Sequence, residues 1–195
     1  MRHKILVAGF ATLFGVSPKN AAPLAAREIV NLASGLRVDV TWASDAPLRG
    51  VFLWPDNRSG SQEFYLFYPS KDGSFNLMAV HSEQCLMLDW RGASFRNGTA
   101  VIQFPHCGDP DYLPAQWSWG FVMDGCNPAW QQCGLERRQI LVNKATHKCL
   151  DAGNARGGMP PQGAILQIWD CIGSLGQWNA GNQLWMMART TSSRP

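Results

Sequence analysis

The sequence predicts an all-β protein built from three similar four-stranded units, and three observations carry that prediction. After residue 27 the apolar residues come in short runs broken by Gly, Pro, Asn and Asp, the pattern of strands joined by tight turns. No segment there sustains a helical period between caps. Cys85 and Cys107 are 22 positions apart, and so are Cys149 and Cys171; such a period decides an architecture before any other observation. The length of 195 residues suits one globular domain or a repeat array of that size. With 46% hydrophobic and 16% charged residues, the chain is too apolar for intrinsic disorder.

The N-terminus reads as a leader. Met1 to Lys4 is basic, and Ile5 to Val16 is an apolar run, too short to cross a bilayer but of signal-peptide length. The small residues Ala21-Ala22-Pro23-Leu24-Ala25-Ala26 follow, and charge returns abruptly at Arg27-Glu28. The expectation is a signal peptide over 1–26, cleaved between Ala22 and Ala26, and one secreted, extracellular domain over 27–195. No cysteine lies near the cleavage region and no later stretch reaches transmembrane length. Without Arg2, Lys4 and Lys19, Lys+Arg falls from 17 to 14, equal to the 14 Asp+Glu. The mature protein is neutral, which disfavours nucleic acid and anionic membranes as partners.

The repeat extends beyond the cysteines. Ala100-Val101-Ile102-Gln103-Phe104-Pro105-His106 precedes Cys107, and Ala164-Ile165-Leu166-Gln167-Ile168-Trp169-Asp170 precedes Cys171. A weaker copy lies earlier, where Gly35-Leu36-Arg37-Val38-Asp39-Val40 resembles His147-Lys148-Cys149-Leu150-Asp151-Ala152. The units close on Gln62-Glu63-Phe64, on the shifted Gln116-Trp117-Ser118-Trp119, and on Gln183-Leu184-Trp185. They run over about 28–68, 75–122 and 139–187. In the third, strands are expected at Ile140–Val142, Cys149–Asp151, Ala164–Ile168 and Leu184–Met187.

Six cysteines in an oxidising compartment point to disulfides. The equal spacing pairs Cys85 with Cys107 and Cys149 with Cys171, leaving Cys126 with Cys133. The metal alternative lacks any C-x-x-C or Cys/His cluster. In the first repeat Arg37 and Asp56 take the cysteine positions, and an ion pair is expected in place of the disulfide.

Three features, Cys149-Leu150-Asp151, the run Gln167-Ile168-Trp169-Asp170-Cys171 and the closing Gln183-Leu184-Trp185, resemble the ricin B-type lectin family. The resemblance implies a β-trefoil: a closed six-stranded barrel capped by three hairpins, with one potential sugar site per repeat. It further implies that the third repeat holds the full ligand set. Asp151 would be the hydroxyl-binding carboxylate, Trp169 the stacking aromatic, Gln167 and Asn182 amide ligands, and Gln183 the support of the pocket. The types suit the chemistry, because a pyranose has an apolar face for an aromatic ring and hydroxyls for a carboxylate and amides. The segment between Asp151 and Gln167 is longer than the family's usual hairpin.

The first repeat keeps Asp39, Trp54 and Gln62 but has Phe52 and Ser61 where the family has Gln and Asn, which implies a weak second site or none. In the second repeat Met87 replaces the Asp, Pro105 stands at the aromatic position, and Asp89 comes two residues late, so that site is expected to be lost. Trp185 and Phe64 are expected in the core.

His81, His106 and His147 form no triad or metal motif. The repeats leave no room for a catalytic domain, so no enzyme, cofactor or metal site is expected. The reading is a secreted lectin for glycans ending in galactose or N-acetylgalactosamine, acting mainly through the third repeat, either free or as the cell-binding subunit of a secreted toxin. The alternative is a trefoil that binds protein, such as a protease inhibitor or assembly subunit, through Met159-Pro160-Pro161 or Trp130.

Overall fold

The computed structural model describes residues 25–68, 71–92, 94–123, 137–153, 158–172 and 181–190, with side chains left out at 121–123 and 137–138. Most of the expected signal peptide, the Cys126–Cys133 pair and Trp130 lie outside the described residues. No α-helix occurs among the described residues.

Among the described residues twelve strands form one continuous sheet. The first repeat supplies β1 (Arg27–Asn31), β2 (Arg37–Val40), β3 (Val51–Trp54) and β4 (Glu63–Phe67). The second supplies β5 (Asn76–Ala79), β6 (Cys85–Leu88), β7 (Val101–Phe104) and β8 (Trp117–Met123). The third supplies β9 (Arg137–Asn143), β10 (Cys149–Ala152), β11 (Leu166–Trp169) and β12 (Trp185–Arg189). The strands expected in the third repeat are all present, with β9 beginning earlier than its apolar run.

The outer strands of each repeat make a closed barrel. β1 pairs β4, β4 pairs β5, β8 pairs β9, and β9 pairs β12. β5 meets β8 through the Phe75↔Trp117 bridge, and β12 returns to β1 from Arg27↔Arg189 to Asn31↔Trp185. Closure removes the exposed edges that an open sheet of this size would present. The hairpins β2–β3, β6–β7 and β10–β11 cap one end and touch each other through Gly50↔Ile102, Phe52↔Ile165 and Ala100↔Gln167. This is the β-trefoil.

Period-2 alternation decides what each hairpin buries. Val38 and Val40, Leu86 and Leu88, and Leu150 and Ala152 enter one continuous core. The residues between them, Asp39, Met87 and Asp151, therefore share the opposite face. Phe64, Trp117 and Trp185 are fully buried in that core, as expected of the closing motifs. Trp117 and Trp185 each donate an indole N–H to the carbonyl of Leu86 or Leu150, at 3.0 and 3.1 Å.

Among the described residues two disulfides are present, Cys85–Cys107 and Cys149–Cys171. At the matching place in the first repeat, Arg37 Nη2 lies 3.4 Å from Asp56 Oδ2. Its Nε lies 3.3 Å from buried Glu28, a partner the sequence comparison did not supply.

Asparagines lock the repeats to one another. Asn31 donates to the carbonyls of Gly181 and Leu184 at 2.8 and 3.2 Å, reaching from the first repeat into the closing turn of the third. Asn143 does the same for the second, donating to Pro114 and Gln116 at 3.0 and 3.2 Å.

Candidate functional site

The third-repeat hairpin pairs Cys149 with Trp169 and Asp151 with Gln167. Leu166 and Ile168 point into the core, so Gln167 and Trp169 rise on the outer face beside Asp151. Gln167 Nε2 donates to Asp151 Oδ1 at 3.0 Å. The short 3-10 turn Gly181–Gln183 brings Asn182 and Gln183 against the other oxygen, at 2.7 and 2.8 Å to Oδ2. The structure thus gathers Gln167, Asn182 and Gln183 around Asp151, with the Trp169 ring 41% exposed on the same face. Burial pushes the Asp151 carboxyl above its usual range, against the opposing pull of hydrogen bonds from Gln183, Gln167 and Asn182.

Gln183 is a positioning residue. Its Oε1 accepts from the Ile172 N–H at 2.8 Å, and its Nε2 also donates to the Asp170 carbonyl at 3.1 Å. Both ends of the amide are used within the protein. The second repeat contributes a wall: the Gly98 N–H donates to the Ile168 carbonyl at 2.9 Å. A Cβ at Gly98, which has φ +87°, would stand 3.9 Å from both Gln167 Oε1 and Trp169 Cζ3.

The first repeat repeats the register, with Arg37↔Trp54 and Asp39↔Phe52. Gln62 Nε2 donates to Asp39 Oδ2 at 2.8 Å and to the Pro55 carbonyl at 2.8 Å, as Gln183 does in the third repeat. The amide expected to be missing is supplied from elsewhere. Asn57 Nδ2 donates to Asp39 Oδ2 at 3.1 Å. Burial again pushes the carboxyl up, opposed by hydrogen bonds from Ser61, Gln62 and Asn57 and by His81 nearby. Asp39 thus keeps as many side-chain donors as Asp151, and the expectation that this repeat lacks two polar partners is corrected: only the strand amide is gone. The site opens into a cleft of about 640 Å³. Two of its lining residues, Trp42 and Asn57, were not expected from the sequence. Asn57 reads there only as a turn or a glycosylation signal.

The second repeat departs from the sequence alignment. Cys85 pairs with Phe104, and Met87 with Ile102. Phe104, not Pro105, therefore occupies the aromatic position, and Ile102, not Gln103, faces the missing carboxylate. A shift of one residue moves a side chain to the other face. Gln103 is accordingly buried and structural, donating to the Ser44 and Ala46 carbonyls at 2.6 and 2.8 Å. Met87 is buried, and both oxygens of Asp89 are taken by Arg91, at 2.8 and 2.6 Å. No carboxylate stands at the register position that Asp39 and Asp151 hold, which is taken here by Met87.

These features define the class as a β-trefoil with a buried, amide-held carboxylate in its first and third repeats. Comparison with known proteins agrees, since residues 20–104 match the family model "Ricin-type beta-trefoil lectin domain-like". No curated protein matches the sequence. Among solved structures, the chain is similar to the designed three-fold symmetric protein ThreeFoil, at 25% identity and a TM-score of 0.63, over 83% of this chain and 96% of that one. It is also similar to an exo-beta-1,3-galactanase from Clostridium thermocellum, at 22% identity and a TM-score of 0.65, over 85% of this chain but only 30% of that one. A third likeness is the ricin B-like lectin of Macrolepiota procera in complex with lactose, at 15% identity and a TM-score of 0.56, over 87% of this chain and 98% of that one. The last two likenesses are of fold.

Proposed function

We propose that the protein is a secreted carbohydrate-binding module, without catalytic activity of its own, for glycans ending in galactose or N-acetylgalactosamine. The third repeat is the main site and the first a second one. The observation that carries the reading is the buried Asp151, held by three side-chain amides beside an exposed Trp169. A carboxylate fixed in this way keeps acceptor capacity on Oδ1 for a sugar hydroxyl with no reorganisation, and the indole covers the apolar face of the ring. Gln167 and Asn182 flank the carboxylate and orient the hydroxyls, while Gln183 keeps the acceptor aimed. The leader over 1–26 and the two disulfides support secretion. Such a module acts as a free lectin or as the cell-binding subunit of a toxin. One shallow site of this kind binds weakly, at roughly 1 mM, so useful avidity comes from several sites engaging together.

The test is a titration of the secreted, oxidised protein with galactose, N-acetylgalactosamine and lactose, read by Trp fluorescence and indole N–H resonances. Saturable binding at Trp169, lost in Asp151→Asn, is expected. No saturation up to high millimolar sugar would overturn the reading and favour the protein-binding trefoil, with exposed Met159 as its contact.

A further inference from the structure

We propose that the first-repeat cleft selects a pyranose carrying a methyl group, a 6-deoxy or O-methyl sugar, over the fully hydroxylated hexose. This rests on reading the protein as a carbohydrate-binding module and concerns which sugar its first repeat takes.

The observation is one exchange at matching register in the two hairpins. Opposite Asp151 stands Gln167, and opposite Asp39, at the same register, stands Phe52. The amide wall has become a hydrocarbon wall. Phe52 packs edge-on to Trp54, with ring centroids 5.4 Å apart at 77°. The bridge Phe52↔Ile165 brings Ile165 across from the third repeat, where it lines the same cleft and is 57% exposed. Trp42 adds a second indole, 87% exposed. It is held at φ +60°, a backbone region costly for a side chain of this size, and such strain gathers at ligand sites. Thr41 fixes that turn, its hydroxyl donating to the Gly50 carbonyl at 2.6 Å and its N–H at 3.1 Å.

The cleft therefore has a polar floor of Asp39 and Asn57 and an apolar wall of Phe52, Ile165 and Trp42. Hydroxyls on one side of a sugar find Asp39. A hydroxyl turned to the wall loses water and gains no partner, which weakens binding about tenfold. A methyl group in that place buries apolar surface and strengthens binding by about fourfold. Both effects favour the methyl-bearing sugar.

The experiment uses the full mature chain carrying Asp151→Asn, which silences the third repeat. Galactose is compared with D-fucose, L-fucose, L-rhamnose and 6-O-methylgalactose, following the indole resonances of Trp54 and Trp169. The expected result is that at least one methyl-bearing sugar shifts Trp54 and binds at least fivefold tighter than galactose. Phe52→Gln should bring that ratio to about one. Ile165→Thr, at an exposed position where folding is not at stake, should lower it in the same direction. Galactose binding as tightly as every methyl-bearing sugar, or a preference unmoved by both substitutions, would overturn the proposal. The broader reading fails separately. In that case no sugar shifts Trp169 in the unmodified protein, whereas failure of this proposal alone leaves the Trp169 response to galactose intact.

Discussion

The first and third repeats set an aspartate at the same place in the same hairpin, yet they staple that hairpin and wall its pocket differently. In the third, Cys149–Cys171 ties the strands and Gln167 faces the carboxylate. In the first, Arg37 and Asp56 replace the disulfide, and Phe52 replaces the amide. What does not change is the buried cluster under the carboxylate, where Gln62 and Gln183 make matching bonds to Asp39 and Asp151. The support of the acceptor is thus separable from both the covalent staple and the specificity wall. Each can vary without disturbing the others.

The largest expected difference concerns the staple. Replacing Cys149 and Cys171 together by alanine should lower stability by about 3 kcal/mol, because the unfolded chain regains the entropy of a closed loop. Chemical denaturation of the variant measures this. A loss well below 1 kcal/mol would mean that the strand pairing alone holds the hairpin, as it nearly must in the first repeat.

Next in size is the carboxylate. Asp151→Asn and Asp39→Asn should each weaken sugar binding at their own repeat by about 2 kcal/mol, roughly thirtyfold, since a charged acceptor is lost. Each should leave the other site untouched. Cross-talk between the two, seen in resonances of Trp54 and Trp169, would break the idea of independent sites.

Both carboxyls are pushed up by burial, so pH should treat the repeats alike. The folded protein holds these protons more tightly than the unfolded chain. Their contribution to stability therefore grows as pH falls through the raised values. Sugar binding runs the other way, because protonation removes the acceptor. Affinity should fall on acidification at a pH above the ordinary aspartate range, and a titration repeated in Asp151→Asn should leave that dependence intact at Trp54.

The smallest effect is expected at Asp56. Its pair with Arg37 is partly exposed, and Asp56→Asn should cost about 0.5 kcal/mol in thermal or chemical unfolding. Arg37→Met should cost more, because Glu28 is buried and loses its cationic partner.

The sequence made the trefoil and the third site legible for a common reason. Cys149, Asp151, Gln167 and Trp169 are placed by strand alternation, and alternation is visible in a string of letters. The second repeat misled because alignment on Cys107 assumes equal spacing from strand to cysteine. In the structure Phe104 takes the place of Trp169, one residue further from its cysteine. That single extra residue makes Gln103, which aligns with Gln167, a core brace instead. Asn57, Trp42 and Ile165 were hidden for other reasons. Asn57 reaches Asp39 from a turn, Ile165 arrives from another repeat, and Trp42 depends on a left-handed backbone that no propensity favours.

The asparagine locks bear on what one repeat could do alone. The turn carrying Asn182 and Gln183 is pinned by Asn31, which belongs to the first repeat. The pocket proposed for the third repeat is therefore not owned by that repeat alone, and one repeat made by itself would be a peptide with no such pocket until copies met. Its ligand binding would rise steeply with its own concentration, as for any assembly whose stability is inseparable from protomer concentration. In one chain the copies stay together at any concentration, so one can stand without the carboxylate and another without the strand amide while the pinned turns remain in place.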